Sequence, residues 1–212
     1  MMRNGKQTRA RLVAAWCAHC GGQTEKAYAL GTVIELIHGA SLLQDDIIDK
    51  AEIRRGQPTL WKQRSREYAM LESVALLGEA FDLLGHCELS DEAKVEVIKE
   101  LGSCLSIMAN GAQNEYEGAS KDWQFIYRAK TGILFETACV LGVIAANGIP
   151  EQIAQAREYG RNLGMAYQIM DDIEDQDGLV EVYGEHYAKI YLEEFQKKYR
   201  SLANKHTEAV IE

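Results

Sequence analysis

The amino-acid sequence predicts an all-α protein, and three observations support that fold class. Apolar residues recur with helical spacing, as in Leu30, Ile34 and Ile37, which occupy positions i, i+4 and i+7 of one helix face. Only two prolines occur among 212 residues, and the alternating pattern typical of strands is scarce. This length is sufficient for one sizeable core, so we expect a single helical domain over residues 1–212.

Capping residues indicate where the helices begin and end. One helix is expected from about Glu25 into an acidic motif at 45–49. Ser90, followed by two acidic residues, is typical of an N-cap, and its helix should extend towards Glu117. Pro150, just after Asn147-Gly148, marks the end of one helix and the start of the next. The remaining expected elements are a helix over 122–146, an amphipathic tail helix over about 181–203, and loops at 21–22, 50–59 and 118–121.

Charge and cysteine content exclude several classes of protein. A net charge of −9 argues against nucleic-acid binding, which needs a basic surface. Five cysteines, an odd and mostly scattered set, favour a reducing cytoplasm over a secreted disulfide framework. Cys17 and Cys20 resemble half a zinc site, but no second pair follows, which favours a buried helical cysteine pair. The apolar run 133–149 contains Glu136 and is shorter than the about 20 residues that span a membrane, so it predicts a core helix.

Two acidic motifs of one spelling, Asp-Asp-x-x-Asp, carry the chemistry that the sequence suggests. On a helix the first and last carboxylates of each motif lie four residues apart and share a face, where like charges repel. Mg²⁺ prefers oxygen ligands and is usually held by one or two carboxylates together with substrate phosphates. One motif alone is typical of a solvent-facing acidic helix end, whereas two copies favour a metal-bridged diphosphate site. The six candidate metal ligands are Asp45, Asp46, Asp49, Asp171, Asp172 and Asp175.

Other polar residues extend these two motifs. Gln168 lies three residues before Asp171, and His38 lies two helical turns before Asp45, so each continues the stripe of its motif. Arginine has a planar donor fork that suits phosphate oxygens. The candidate basic residues are Lys6, Arg9, Arg54, Arg55 and Lys130, the last of which precedes Thr131.

The order of these motifs resembles the trans-type polyprenyl (isoprenyl diphosphate) synthases through nearly the whole chain. The first acidic motif follows Leu36-Ile37-His38-Gly39-Ala40-Ser41-Leu42 as it does in that family. The other matching segments are Gly5-Lys6-Gln7-Thr8-Arg9, Arg54-Arg55-Gly56-Gln57-Pro58-Thr59, Tyr127-Arg128-Ala129-Lys130-Thr131 and Tyr167-Gln168-Ile169-Met170.

The resemblance implies the isoprenoid synthase fold, a helical bundle around a deep central cavity, in a homodimer. It also implies a prenyltransferase that condenses isopentenyl diphosphate with an allylic diphosphate to give a trans-polyprenyl diphosphate. Three Mg²⁺ ions would bridge Asp45, Asp49 and Asp171 to the allylic diphosphate, and the other three motif aspartates would complete the clusters. The resemblance also implies that the allylic diphosphate is held by Lys130 and Arg54. Isopentenyl diphosphate would be held by Lys6, Arg9, His38 and Arg55. The Thr131 carbonyl and Gln168 would stabilise the allylic cation.

The resemblance also carries expectations about chain length and about departures from the family. Ala40 and Ser41 are small where bulky residues close the product cavity of short-chain members, which predicts geranylgeranyl or longer products. The helix 75–84, or Phe81 itself, is the candidate floor of that cavity. The expected departures are absent first helices, Gln7 for Arg, Ala10 for Pro, Ser73-Val74 for Gly-Asp, and a shortened segment after Asp175 that lacks a diphosphate-binding lysine.

The shortened segments keep other interpretations open. A non-catalytic partner subunit of a heteromeric synthase fits the truncations, although both acidic motifs are intact. A class I terpene cyclase shares the fold and the first motif, but its second metal motif is usually of the Asn/Ser/Glu type. A purely structural helical bundle would leave the two acidic motifs far apart in space.

Overall fold

The computed structural model describes residues 7–118 and 122–211, and almost all of them are helical. The expected all-α fold class is therefore confirmed. The helices are α1 (Thr8–His19), α2 (Thr24–Ile48), α3 (Leu60–Gln63), α4 (Arg66–His86), α5 (Asp91–Tyr116), α6 (Trp123–Tyr127), α7 (Ile133–Ala145), α8 (Pro150–Asp175), α9 (Gly178–Tyr183), α10 (Glu185–Leu202) and α11 (Lys205–Ile211), with a π turn at Arg128–Gly132 and a hairpin of β1 (Ile53–Arg54) and β2 (Gln57–Pro58).

Local sequence signals explain where most of these helices begin. The hydroxyl of Ser90 accepts a hydrogen bond of 3.2 Å from the backbone N–H of Ala93 and so caps α5. Pro150 is the first residue of α8, where its missing N–H costs nothing. The expected starts of α2, α5 and α8 are confirmed to within a residue.

Two expected helices are interrupted in the structure. The helix expected over 122–146 contains the π turn Arg128–Gly132, which inserts one extra residue between α6 and α7. The prediction of one tail helix over about 181–203 is wrong. The tail divides into α9 and α10 at Gly184, whose φ of 87° lies in the left-handed region that glycine adopts readily.

The loop expected over 50–59 contains the short hairpin. Ile53 pairs with Pro58 and Arg54 with Gln57 in antiparallel register. Arg55 and Gly56 form the two-residue turn, and both have positive φ, as the tightest hairpin turns require. This turn fixes Arg54 and Arg55 immediately beyond α2.

Helix α7 forms the centre of the bundle, and every one of its residues is buried. Helices α1, α2, α5 and α8 pack around it. The closest approaches occur at glycines: a Cβ at Gly142 would lie 2.3 Å from the Val13 carbonyl oxygen, and a Cβ at Gly160 would lie 2.6 Å from the Phe135 carbonyl oxygen. The expectation of a buried core helix over 133–149 is thus confirmed for residues 133–145. Within 7–118 and 122–211, no helix has the length and apolar content needed to cross a membrane.

A cleft opens between α2, α4 and α5. It encloses about 540 Å³ of empty space, which includes its open mouth. Its walls are mainly apolar, with Ala40 and Ile37 from α2, Leu77 from α4, and Leu105 and Met108 from α5. Asp45 and Lys130 also line it, so the cleft begins at the first acidic motif.

Candidate active site

Both acidic motifs occupy the last turn of a long helix. Asp45 and Asp46 lie in the last turn of α2, and Asp49 is its C-cap; Asp175 is the last residue of α8. The carbonyl groups at a helix C-terminus carry partial negative charge, so carboxylates there are unfavourable by about 0.3–1 kcal/mol each. Each of the two helices ends in three carboxylates, and a bound cation would offset the unfavourable electrostatic energy of this arrangement.

The first and second aspartates of each motif have different surroundings. Asp45 is half-buried, and burial raises the pKa of its carboxyl, assisted by Asp49 and opposed by Lys130. Asp171 is also half-buried, and burial together with Glu174 and Asp175 raises its pKa to about 6. In both cases burial disfavours the charged carboxylate, and a bound divalent cation would offset that penalty.

The middle aspartates, by contrast, are buried and hydrogen-bonded to protein donors. Asp46 is 2% exposed and accepts a hydrogen bond of 2.6 Å from Nε of Arg54 on the hairpin. Asp172, also 2% exposed, accepts from the backbone N–H of Leu179 at 2.8 Å and from Gln168 Nε2 at 2.9 Å. The hydroxyl of Tyr127 donates to the same Oδ2 atom that Leu179 reaches.

The π turn carries adjacent residues that reach the two motifs. Burial lowers the pKa of Lys130, but Glu115, Asp45 and Asp49 outweigh that effect and raise it overall. The Lys130 ammonium donates to Glu115 on α5. The next residue, Thr131, donates from its hydroxyl to Gln168 Oε1 at 2.6 Å, and Gln168 in turn contacts Asp172. Lys130 and Thr131 are neighbours, so one short backbone segment lines the cleft together with Asp45 and also contacts Gln168, the partner of Asp172.

A second group of basic residues surrounds His38. Burial, together with the positive charges of Arg9, Arg55 and Arg54, lowers the pKa of His38 to about 3. The Arg9 guanidinium lies 4.4 Å from the centre of the Phe135 ring, and burial lowers its pKa. Its Nε is buried and has no hydrogen-bond partner among residues 7–118 and 122–211. Lys6, which was expected here, lies outside the described residues.

Sequence reasoning missed two functional partners. Glu115 pairs with Lys130 from the end of α5, and Tyr127 holds Asp172 from the end of α6. Neither contact follows from spacing, since the paired residues are 15 and 45 positions apart. Tyr127 lies within a segment that resembles the synthase family, but the sequence alone does not indicate a role for its hydroxyl.

The donor set fits magnesium through its chemistry rather than through a preformed cage. Among the described residues, no three His, Cys, Asp or Glu side chains lie close enough together to form a metal cluster by themselves. Mg²⁺ sites in phosphoryl chemistry commonly use one or two carboxylates and complete their octahedra with water and substrate phosphates. The first carboxylates, Asp45 and Asp171, whose pKa values are raised, match that division.

Comparison with known proteins agrees with this geometry. The family model for polyprenyl synthetases matches residues 1–191. The heterodimeric geranylgeranyl pyrophosphate synthase large subunit 2 of Arabidopsis thaliana is 35% identical over 185 residues, covering 81% of this chain and 49% of the relative. Geranylgeranyl pyrophosphate synthase 4 of the same plant is 31% identical over 83% of this chain and 50% of its own length.

A similarity of fold extends to solved structures. The geranyltransferase of Helicobacter pylori, solved with magnesium and isoprenyl diphosphate, superposes with a TM-score of 0.85 at 23% identity, over 98% of this chain and 82% of that one. The expected isoprenoid synthase fold is therefore confirmed. The chain spans about half the length of the plant relatives that it matches. With a family match over residues 1–191, this chain belongs to the polyprenyl synthetase family.

Proposed function

We propose that this chain is a Mg²⁺-dependent prenyltransferase that condenses isopentenyl diphosphate with an allylic diphosphate and releases diphosphate. The single observation that carries the proposal is the π turn, where Lys130 lines the cleft beside Asp45 and the adjacent Thr131 hydrogen-bonds to Gln168, the partner of Asp172. A purely structural bundle has no reason to place two acidic helix C-termini beside one short segment that carries a lysine and a threonine.

The outer carboxylates are the metal-binding groups in this proposal. Asp45, Asp49, Asp171 and Asp175 would hold Mg²⁺, three ions per site by the family resemblance. When bound, magnesium neutralises the diphosphate and makes it a better leaving group. Asp46 and Asp172, which the sequence also assigned to the metal clusters, support the site through the buried contacts described above.

The basic residues divide between the two substrates. Lys130 and Arg54 face the acidic motifs and would hold the allylic diphosphate; Arg54 keeps donors beyond the Nε that contacts Asp46. Arg9, His38 and Arg55 form the second group and, with Lys6, would hold isopentenyl diphosphate. Neutral His38 can still donate one hydrogen bond to a diphosphate oxygen without adding charge to the group.

The polar groups around the reacting carbons stabilise positive charge. The allylic C–O bond breaks, and its electron pair leaves with diphosphate. The π electrons of isopentenyl diphosphate then form the new C–C bond, and the resulting cation loses a proton to an oxygen of the released diphosphate. Gln168 Oε1 and the backbone carbonyl of Thr131 present partial negative charge to the cation, and the Thr131 hydroxyl and Asp172 fix the Gln168 amide in one orientation.

The cleft beside Asp45 would accommodate the growing apolar chain. Ala40 and Ser41 contribute small side chains to its lining, and Leu77, Leu105 and Met108 contribute larger apolar ones. Phe81 is 39% exposed and is not part of the cleft lining, so Leu77 is the better candidate for a floor contributed by α4. This arrangement supports geranylgeranyl or longer products.

A second copy of the chain is the partner that we propose. Along α4, Leu71, Val74 and Phe81 are 64%, 59% and 39% exposed, and they follow helical spacing. An apolar stripe of this kind on one helix favours coverage by another subunit. Light scattering during size-exclusion chromatography would show a mass of two chains if the homodimer forms, and one chain if it does not.

The second candidate is a subunit that requires a different partner for activity. It is favoured by the relative whose name describes a large subunit of a heterodimer. A cytoplasmic location remains a prediction from cysteine usage, since the plant relatives include chloroplastic proteins.

One assay separates the two candidates. The purified chain is incubated with labelled isopentenyl diphosphate, farnesyl diphosphate and Mg²⁺, and products are identified by mass spectrometry. The proposal predicts geranylgeranyl or longer diphosphates, with an about 100-fold lower rate for Asp45→Asn and an unchanged rate for Asp82→Asn, an exposed acid on α4. No product from the chain alone, with product restored by a second subunit, would favour the heteromeric alternative.

A further inference from the structure

One fully buried carboxylate lies outside the site just described. Glu136 on α7 is 0% exposed, and it contacts two arginines that are each about 40% exposed. Arg128 approaches in bidentate fashion, with Nε 2.8 Å from Oε1 and an Nη2 atom 3.3 Å from Oε2. Arg161 on α8 donates from Nε to Oε1 at 3.1 Å. A buried charge of this kind persists only where its partners are well placed.

The pairing of Arg128 with Glu136 depends on the π turn between them. A regular α-helix turns about 100° per residue, so two residues eight apart differ by about 80° around the axis. A π turn absorbs one extra residue and removes about 100° of that rotation. The two side chains are thereby brought close to one face of the helix. This ion pair therefore fits the geometry of the π turn and does not fit that of a regular α-helix.

Neighbouring helices pass unusually close to the same turn. A Cβ at Gly111 on α5 would lie 2.5 Å from the Ala129 Cβ, and a Cβ at Gly164 on α8 would lie 2.6 Å from the Gly132 Cα. Arg161 lies between Gly160 and Gly164, at the point where α8 crosses α7. Backbone packing therefore confines the turn from two sides, and the Glu136 carboxylate ties its first residue to α7.

We propose that Arg128 and Glu136 are positioning residues that select the π form of the 128–132 segment and so direct Lys130 and Thr131 towards the two acidic motifs. Without the bidentate pair, the segment loses the contact that favours the extra residue, and Lys130 and Thr131 rotate relative to α7. The structural part of this inference stands by itself, whereas its consequence for turnover rests on the proposed function.

The test compares two variants that each remove one arginine from the same carboxylate. Arg128→Leu breaks the contact across the π turn, and Arg161→Leu breaks the contact to α8, so both leave Glu136 with one partner. Amide hydrogen exchange of peptides covering 123–135 and the calorimetric Kd of Mg²⁺-diphosphate are measured for both. We expect about tenfold faster exchange and about fivefold weaker diphosphate binding for Arg128→Leu, with Arg161→Leu within twofold of the wild type.

A third variant and the turnover assay complete the test. Arg128→Lys keeps the charge but loses the bidentate geometry, and it should fall between the wild type and Arg128→Leu in both measurements. Equal effects of Arg128→Leu and Arg161→Leu, or wild-type exchange in Arg128→Leu, would overturn the inference. If Arg128→Leu does not fold, Arg128→Lys against Arg161→Lys decides by the same criteria. A wild-type chain that binds diphosphate but makes no product would refute the proposed function alone.

Discussion

The hydroxyl of Tyr127, at the end of α6, donates to the buried carboxylate of Asp172 on α8, two helices that are separated in sequence by the whole of α7. The same carboxylate accepts the backbone N–H of Leu179, at the start of α9, and the amide of Gln168. Asp172 thus joins three elements around the second acidic motif. The middle aspartate of the motif therefore has a structural role, whereas Asp171 and Asp175 are more exposed to solvent.

Substitutions at the middle and last aspartates of the second motif should have opposite effects on stability. Asp172→Asn replaces one acceptor oxygen by an NH₂ group that faces N–H and O–H donors, which should cost about 1–3 kcal/mol. Asp175→Asn removes an exposed charge from a helix C-terminus and should stabilise the metal-free protein by about 0.3–1 kcal/mol. Urea unfolding in EDTA measures both.

Calorimetry with Mg²⁺ and diphosphate provides the complementary measurement. Asp175→Asn should weaken Mg²⁺-dependent diphosphate binding even though the protein is more stable. A destabilised Asp175→Asn, or an Asp172→Asn protein as stable as the wild type, would contradict the division of roles between outer and middle carboxylates.

The pKa of His38, lowered to about 3 by burial and by three arginines, predicts a loss of stability in acid. Above the unfolded value of 6.5, both states carry a neutral imidazole, so this group does not affect stability. Between 6.5 and 3 the unfolded chain binds a proton that the folded chain does not, so the free energy of unfolding falls as the pH falls. His38→Gln should flatten this dependence.

The matched control for His38 is His86, whose side chain is 78% exposed at the end of α4. Unfolding of the wild type, His38→Gln and His86→Gln is measured from pH 7 to pH 4. The wild type and His86→Gln should follow parallel curves, and His38→Gln should gain relative stability as the pH falls. Three parallel curves would show that the imidazole is not desolvated in the folded protein.

The length of the product should respond to the mouth of the cleft. Ser41 lines it one turn before Asp45, so Ser41→Phe places a ring where the growing chain would pass. We expect products shortened by one or more five-carbon units, measured by mass spectrometry of the reaction mixture. Ser106→Phe, at an exposed position of α5 outside the cleft, is the control and should keep the wild-type product. An unchanged product length in Ser41→Phe would show that the growing prenyl chain does not pass Ser41.

Sequence reasoning predicted the elements that depend on local signals and missed those that depend on packing. Ser90 and Pro150 set helix starts through their own backbone and side-chain chemistry, so α5 and α8 began where expected. The π turn at 128–132 could not be read from its residues, because glycine contacts from two other helices and a buried carboxylate confine it. Gly184 did carry a local signal, but the apolar periodicity on both sides concealed the break.

The candidate site divides in the same way. Helical spacing placed Asp45 with Asp49 and Asp171 with Asp175, since residues four apart share a face by geometry alone. The inward turn of Asp46 and Asp172 depends on donors from the hairpin, from α6 and from α9, whose approach is a tertiary property. Glu115 was overlooked for the same reason.

Glu115 should act as an internal competitor of diphosphate, because its carboxylate already pairs with the Lys130 ammonium. Glu115→Gln removes that competition and frees the ammonium for phosphate oxygens. A partly exposed ion pair contributes about 0.2–1 kcal/mol, which corresponds to an affinity gain of up to about fivefold for inorganic diphosphate. The control is Glu96→Gln, which breaks the 2.7 Å pair with Lys99 on the exposed face of the same helix. Calorimetry should show tighter binding for Glu115→Gln only; equal or weaker binding would mean that Glu115 orients Lys130 for its ligand instead of competing with it.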